Sequence, residues 1–189
     1  MTSAISSWRR PAAVFLLTAA FSSGCDLSTK TWAQSTLEVP GGSMTVVDPW
    51  LQFSLAYNRG TAFSLIPHLG EARFLFAVLA LVVCGALLWM ALRRRPVSRL
   101  ELLALGTIAG GALGNGYDRA FRTTPAGDTA VIDFIRVNFS STLSWPTFNL
   151  ADAFILIGVG VVLWLEIRRP PTPDDLDATA TTPATAAQS

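Results

Sequence analysis

Nineteen consecutive residues without a charge, Phe74 to Leu92, constrain this chain more than any other feature. A run of that length crosses the hydrocarbon core of a bilayer, about 30 Å, as a single helix. Three other apolar runs share its character: Pro11 to Cys25 behind Arg9-Arg10, Leu102 to Gly114 behind Glu101, and Phe148 to Ile167 with Asp152 near its start. They reach spanning length when their polar ends are included. Composition agrees, at 51% hydrophobic and 14% charged residues, where a soluble domain carries about 25% charged. The expected fold is an all-α polytopic membrane protein with four transmembrane helices, about 11–30, 72–92, 99–116 and 148–167. One integral-membrane domain, 1–169, is then followed by a Pro/Thr/Ala-rich tail, 170–189. That tail cannot bury a core and is expected to be disordered.

Basic residues orient the spans. Arg9, Arg10, Arg93, Arg94, Arg95, Arg99, Arg168 and Arg169 crowd the helix ends on one side. The opposite loops hold Lys30, Arg59, Arg73, Arg119, Arg122 and Arg136. The clustering puts both termini in the cytoplasm. The N-terminal stretch has a second reading, a signal peptide ending at Ser22-Ser23-Gly24-Cys25 with a lipidated cysteine. An uncleaved first helix is preferred, because Ser22 stands where a large aliphatic residue is usual and three further spans follow.

Two extracytoplasmic loops result. In the first, Pro40-Gly41-Gly42 signals a turn. Met44 to Val47 and Trp50 to Tyr57 are β-branched and aromatic enough to form short strands, giving a small β-cradle between helices 1 and 2. The second loop, from about Tyr117 to Thr147, carries Pro125-Ala126-Gly127 and a Ser-Ser-Thr stretch. A net charge of +1 gives no reason to expect a nucleic-acid partner. Cys25, Cys84 and the single histidine, His68, suggest no disulfide framework and no metal site.

Ionisable residues in or beside spans are costly and are functional candidates by default. Asp26 and Lys30 lie at i, i+4 spacing and read first as an interfacial ion pair closing helix 1. Asn58-Arg59-Gly60 reads as a turn at a strand end, or as a platform exposing backbone to a bound peptide. Gly106, Gly110 and Gly114 recur every four residues, a small-residue face for close helix packing. Asp118 and Arg119 read as an interfacial pair. Asp133, in an apolar stretch, and Asp152, at the outer end of helix 4, fall at about the same depth. Two carboxyls in a low-dielectric site split into one neutral and one charged form. That split suits peptide hydrolysis, with the charged Asp taking a proton from water and the neutral one donating to the carbonyl oxygen. It suits a proton or cation relay equally well, and a structural scaffold remains a third possibility; the pattern alone leaves all three open.

The motifs in order resemble those of the bacterial lipoprotein signal peptidases (signal peptidase II). Asp26-Leu27-Ser28-Thr29-Lys30 looks like the family's Asp-x-x-x-Lys. Asn58-Arg59-Gly60-Thr61-Ala62-Phe63-Ser64 is similar to Asn-x-Gly-Ala-Ala-Phe-Ser, with Thr61 in place of the usual Ala. Gly110-Gly111-Ala112-Leu113-Gly114-Asn115-Gly116-Tyr117-Asp118-Arg119 looks like Gly-Gly-x-x-Gly-Asn-x-x-Asp-Arg. Val131-Ile132-Asp133-Phe134 and Trp145-Pro146-Thr147-Phe148-Asn149-Leu150-Ala151-Asp152 resemble Val-Val-Asp-Phe and Phe-Pro-x-Phe-Asn-x-Ala-Asp. The resemblance implies an intramembrane aspartic peptidase that cuts diacylglyceryl-modified prolipoproteins just before the lipidated cysteine. It implies sensitivity to globomycin and no metal or other cofactor. It implies Asp133 and Asp152 as the catalytic pair, with Asn58, Gly60, Asn115, Arg119, Asn149 and Ala151 lining or bracing the site. Asp26, Lys30 and Asp118 are expected to be structural. The setting implied is the bacterial inner membrane, with lipid around a monomer and the site near the extracytoplasmic face. The segment from Arg122 to Gly127 looks like an insert, read as a lid or simply a longer loop.

Overall fold

In the computed structural model, residues 2–60, 72–93, 98–140 and 142–170 are described. The 61–64 part of the Asn58 motif, His68, Arg94, Arg95 and the tail beyond Pro170 lie outside them. Among the described residues the order is α1 (Thr2–Leu37), β1 (Ser43–Val47), β2 (Leu51–Asn58), α2 (Ala72–Arg93), α3 (Arg99–Phe121), β3 (Val131–Val137) and α4 (Leu150–Ile167). Three of these helices are long and apolar enough to cross a membrane: α1, α2 and α4. Their outward faces carry large exposed apolar side chains, among them Leu17, Phe21, Leu81, Trp89, Leu156 and Leu163. In water such surface is a liability; against lipid it costs nothing.

α3 is the hub, packing against α1, α2 and α4. Its glycines explain how. A β-carbon on Gly110 would lie 2.6 Å from the Ser22 β-carbon of α1, and one on Gly111 would lie 2.6 Å from the Ala151 carbonyl of α4. One on Gly116 would lie 2.8 Å from the Ala80 β-carbon of α2. The Gly106, Gly110 and Gly114 face serves α1, while Gly111 and Gly116 serve α4 and α2 on other faces, and backbones approach where a methyl would hold them apart. Asn115-Gly116 does not end the helix, as 99–116 had it; Gly116 is spent on packing, and α3 continues to Phe121.

α1 also runs past its expected end near residue 30. Its last two turns have work to do: Ala33 and Leu37 are buried against Ile132 and Phe134, with Phe53 and Leu55 alongside. Trp32, Phe53 and Phe134 meet edge to face, with ring centres 5.7–6.1 Å apart. This apolar contact seats the sheet on the C-terminal end of α1.

The sheet corrects the sequence reading in one respect. Its strands are antiparallel in the order β1-β2-β3, so the two expected strands are joined by a third from the loop between α3 and α4. β3 sits inside, because segment 145–148 returns along its free edge, with the Trp145 N–H on the Val137 carbonyl at 2.8 Å and the Phe148 N–H on the Ile135 carbonyl at 3.0 Å. That return delivers the chain directly to the N-terminus of α4.

Candidate active site

β3 and α4 bring the two sequence-nominated carboxylates to one place. Asp133 lies opposite Ala56 in the β2–β3 ladder and is 3% exposed. Asp152 is the third residue of α4, where Asn149 caps the helix: the Asn149 side chain accepts from the Asp152 N–H at 3.1 Å, and Asp152 Oδ2 accepts from the Asn149 N–H at 3.3 Å. This reciprocal box satisfies the first turn of α4 and fixes the Asp152 rotamer.

Asparagines tie the carboxylates together. Asn149 Nδ2 donates to Asp133 Oδ1 at 2.6 Å, so one residue holds both aspartates. Asn115 Nδ2 donates to Asp152 Oδ1 at 2.9 Å. Its Oδ1 accepts from Asn149 Nδ2 at 3.2 Å and from Lys30 Nζ at 2.8 Å, which fixes the amide orientation. Asn58 Nδ2 donates to Asp133 Oδ2 at 3.0 Å, while the Gly60 N–H closes a tight turn on Asn58 Oδ1 at 2.9 Å. Gly60 has φ +81°, which a side chain would strain.

Beneath the pair is a buried charge cluster. Lys30 and Asp26, both 0% exposed, pair at 2.7 Å, and Lys30 reaches Asp118 Oδ2 at 3.1 Å. The i, i+4 pairing of Asp26 and Lys30 holds, but both side chains are enclosed in the protein interior rather than standing at a solvated helix end. The partner expected for Asp118 is corrected too. Asp118 pairs with Arg122 at 2.6 Å, because i, i+4 residues share a helix face and adjacent ones do not. Arg119 instead donates to the Asn115 carbonyl at 3.4 Å and sits over the Phe76 ring at 5.4 Å, within charge range of Asp152 and Asp133. Two cations and two anions leave the cluster neutral, the condition under which charge is tolerated in a low-dielectric interior.

The cluster also grips the backbone beside each carboxylate. Asp118 Oδ2 accepts from the Ile132 N–H at 3.2 Å, one residue before Asp133. Asp26 Oδ1 accepts from the Ala151 N–H at 2.9 Å, one residue before Asp152. Ala151 is fully buried, so it braces the site rather than lining a groove. Residues not nominated from sequence join in. Arg122 extends to Gln34 Oε1 at 3.1 Å and Thr31 Oγ1 at 3.3 Å. The Asp118-x-x-x-Arg122 spacing was the available signal.

Burial, the largest influence, pushes the Asp133 carboxyl up to about 6; the neighbouring Asp152 charge adds to this, while the Asn58 and Asn149 amides and the Lys30 charge oppose it. A folded pKa above the ordinary 3.8 means the native state binds more protons between those values. Stability is then fullest below pH about 4 and falls as pH rises through about 6, by up to about 3 kcal/mol. Asp133→Asn removes that penalty. The variant is expected to melt above the wild type at pH 8, with the gap closing toward pH 4; melting curves in detergent across that range check it. A variant that melts at or below wild type at pH 8 would contradict the burial argument.

Residues 18–168 match the family model for signal peptidase (SPase) II. The lipoprotein signal peptidase of Azoarcus sp. (strain BH72) is 38% identical over 165 residues, covering 85% of this chain and 88% of the relative. That of Dichelobacter nodosus (strain VCS1703A) is 36% identical over 166 residues, covering 86% of this chain and 99% of the relative. A bacterial membrane enzyme solved by the in meso method at 1.9 Å is similar in fold, with TM-score 0.68 and 24% identity over 84% of this chain and 95% of that one.

Proposed function

The chain belongs to the signal peptidase II family, and from that premise we propose that Asp133 and Asp152 do its chemistry. It is an aspartic endopeptidase that removes signal peptides from prolipoproteins. The observation that carries the residue assignment is Asn149, whose side chain donates to Asp133 at 2.6 Å and whose backbone N–H donates to Asp152 at 3.3 Å. One residue thus holds the two carboxylates of separate elements in a shared site.

The pair activates one water. The ionised carboxylate removes a proton from the water as its oxygen attacks the scissile carbonyl carbon. The neutral carboxyl gives its proton to the carbonyl oxygen, so the tetrahedral intermediate is a neutral gem-diol and the two carboxyls have exchanged charge states. The proton taken from water then passes to the leaving amine as the carbon–nitrogen bond breaks, and one diol hydroxyl returns its proton to the carboxylate that gave it, which restores the pair. The two groups titrate as a unit, so the roles belong to the pair. Asn115 and Asn149 hold the geometry, Asn58 and Gly60 form the outer wall, and Arg119 supplies positive potential beside whichever carboxylate is ionised.

The rest of the reading follows from this placement. α3 is the fourth span, its low apolarity tolerated because it is enclosed by the other helices. One peptidase domain, 1–169, has both termini in the cytoplasm and the site near the extracytoplasmic face of the bacterial inner membrane. The substrate is the diacylglyceryl-modified precursor, cut just before its lipidated cysteine; its acyl chains stay in the bilayer, and the enzyme works as a monomer without a metal. The family's cyclic-peptide inhibitor, globomycin, is expected to block it. Reconstitution in proteoliposomes separates this reading from a proton relay. Precursor cleavage without proton flux is expected; flux that disappears in Asp152→Asn, with the precursor left intact, would sink the peptidase assignment.

A further inference from the structure

Residues 122–130, which include the Arg122 to Gly127 insert read from sequence as a lid or a longer loop, form a short hairpin. Thr123 bridges Thr129, the Thr124 N–H meets the Asp128 carbonyl at 2.8 Å, and the Gly127 N–H meets the Thr124 carbonyl at 2.9 Å. Gly127, at φ +84°, makes the turn. The base is rigid, because Arg122 is anchored on Asp118, Gln34 and Thr31 and the Ala130 N–H returns to the Arg122 carbonyl at 3.3 Å. From the tip, Asp128 takes both Nε and Nη2 of Arg59, the second at 3.2 Å, and accepts the Thr124 hydroxyl.

Arg59 lies between Asn58 and Gly60, in the turn that aims the Asn58 amide at Asp133. Asn58 is exposed. Water therefore competes for its amide, and the bond to Asp133 persists only if the turn is held. We propose that the hairpin is a positioning element for catalysis: Asp128, by clasping Arg59, keeps Asn58 donating to Asp133. The inference rests on the peptidase reading and deepens it. Most exposed ion pairs contribute little. This one differs in geometry, being two-pronged, backed by a hydroxyl and one residue from a bond to the catalytic pair. Arg59 also holds the Asp128 carboxyl down at about 2, with the Thr124 hydroxyl helping, so the clasp stays charged across the working pH range.

The test uses full-length protein in detergent as wild type, Asp128→Asn, and the swapped pair Arg59→Asp/Asp128→Arg. One readout is the titration midpoint of the Asp133 carboxyl by carbon-13 NMR, which needs no turnover. The other is kcat and KM on a lipidated precursor. The other charges facing Asp133, namely Asp152 from α4, Lys30 from α1 and Arg119 from α3, are the same in all three proteins. Asp128→Asn is expected to raise the midpoint by about half a unit. It is expected to lower kcat about two- to fivefold with KM and melting temperature little changed. The swap is expected to recover both, and salt near 1 M to mimic the loss in wild type and in the swap while leaving Asp128→Asn little changed. An unchanged midpoint in Asp128→Asn, or a shift that the swap leaves uncorrected, would overturn the proposal. A wild type that cuts no precursor would refute the peptidase reading instead, and the titration would still decide the clasp.

Discussion

Asp152→Asn and Asp133→Asn are each expected to cut precursor turnover by about 10³-fold or more while leaving a folded membrane protein. The magnitude follows from the roles. General acid–base catalysis by a positioned side chain contributes about 10²- to 10⁴-fold, and either substitution removes a partner from a coupled pair, so the second carboxyl has nothing to share a proton with. Asparagine keeps the shape of aspartate. At 152 the helix N-terminus loses a favourable charge and part of the capping box, about 1 kcal/mol, so that variant is expected to melt slightly below wild type. At 133 burial makes the charge unfavourable, and the variant is expected to melt higher. Losing activity with opposite changes in stability separates a catalytic role from damage to the fold. Turnover within tenfold of wild type in both variants would defeat the two-carboxylate mechanism.

Lys30→Met is expected to be the most damaging single substitution for stability. It leaves Asp26 and Asp118 fully buried, with Arg122 as the remaining cation among the four residues of the cluster. Breaking a buried ion pair by deleting one partner costs about 3–5 kcal/mol. Activity should fall further than stability requires. Asp26 and Asp118 hold the N–H groups of Ala151 and Ile132, and Lys30 orients the amide of Asn115, so Asp133 and Asp152 lose their support together. Adding Asp26→Asn to Lys30→Met removes one unpaired charge and is expected to recover part of the melting temperature. Thermal denaturation in detergent checks the series; a Lys30→Met protein that melts like wild type would show that the cluster is not what braces the site.

Much of this was legible in the chain because lipid imposes strong rules. A charge-free stretch such as Phe74 to Leu92 has few other uses, and carboxylates at 133 and 152 stand out against apolar neighbours. What stayed hidden depended on partners remote in sequence. Asp26 and Lys30 have the same spacing whether they sit at an interface or in the interior; Asp118, 88 residues beyond Lys30, decides between them. β3 was read as loop because its partner β2 is more than 70 residues away and Asp133 interrupts its apolar run. Asp118 was matched with Arg119 by adjacency, whereas helix geometry pairs it with Arg122. The glycines at 106, 110 and 114 announced close packing, and Gly111 and Gly116 show that the same helix does this on several faces.

Metal-independent peptidase activity is tested most directly by giving the purified protein a diacylglyceryl-modified precursor in detergent, with EDTA throughout, and weighing the products by mass spectrometry. The expected result is metal-independent cleavage at one bond, leaving the lipidated cysteine as the new N-terminus and the signal peptide with a free carboxylate. A folded wild type that leaves the precursor intact, or that cuts only when metal is restored, would contradict it.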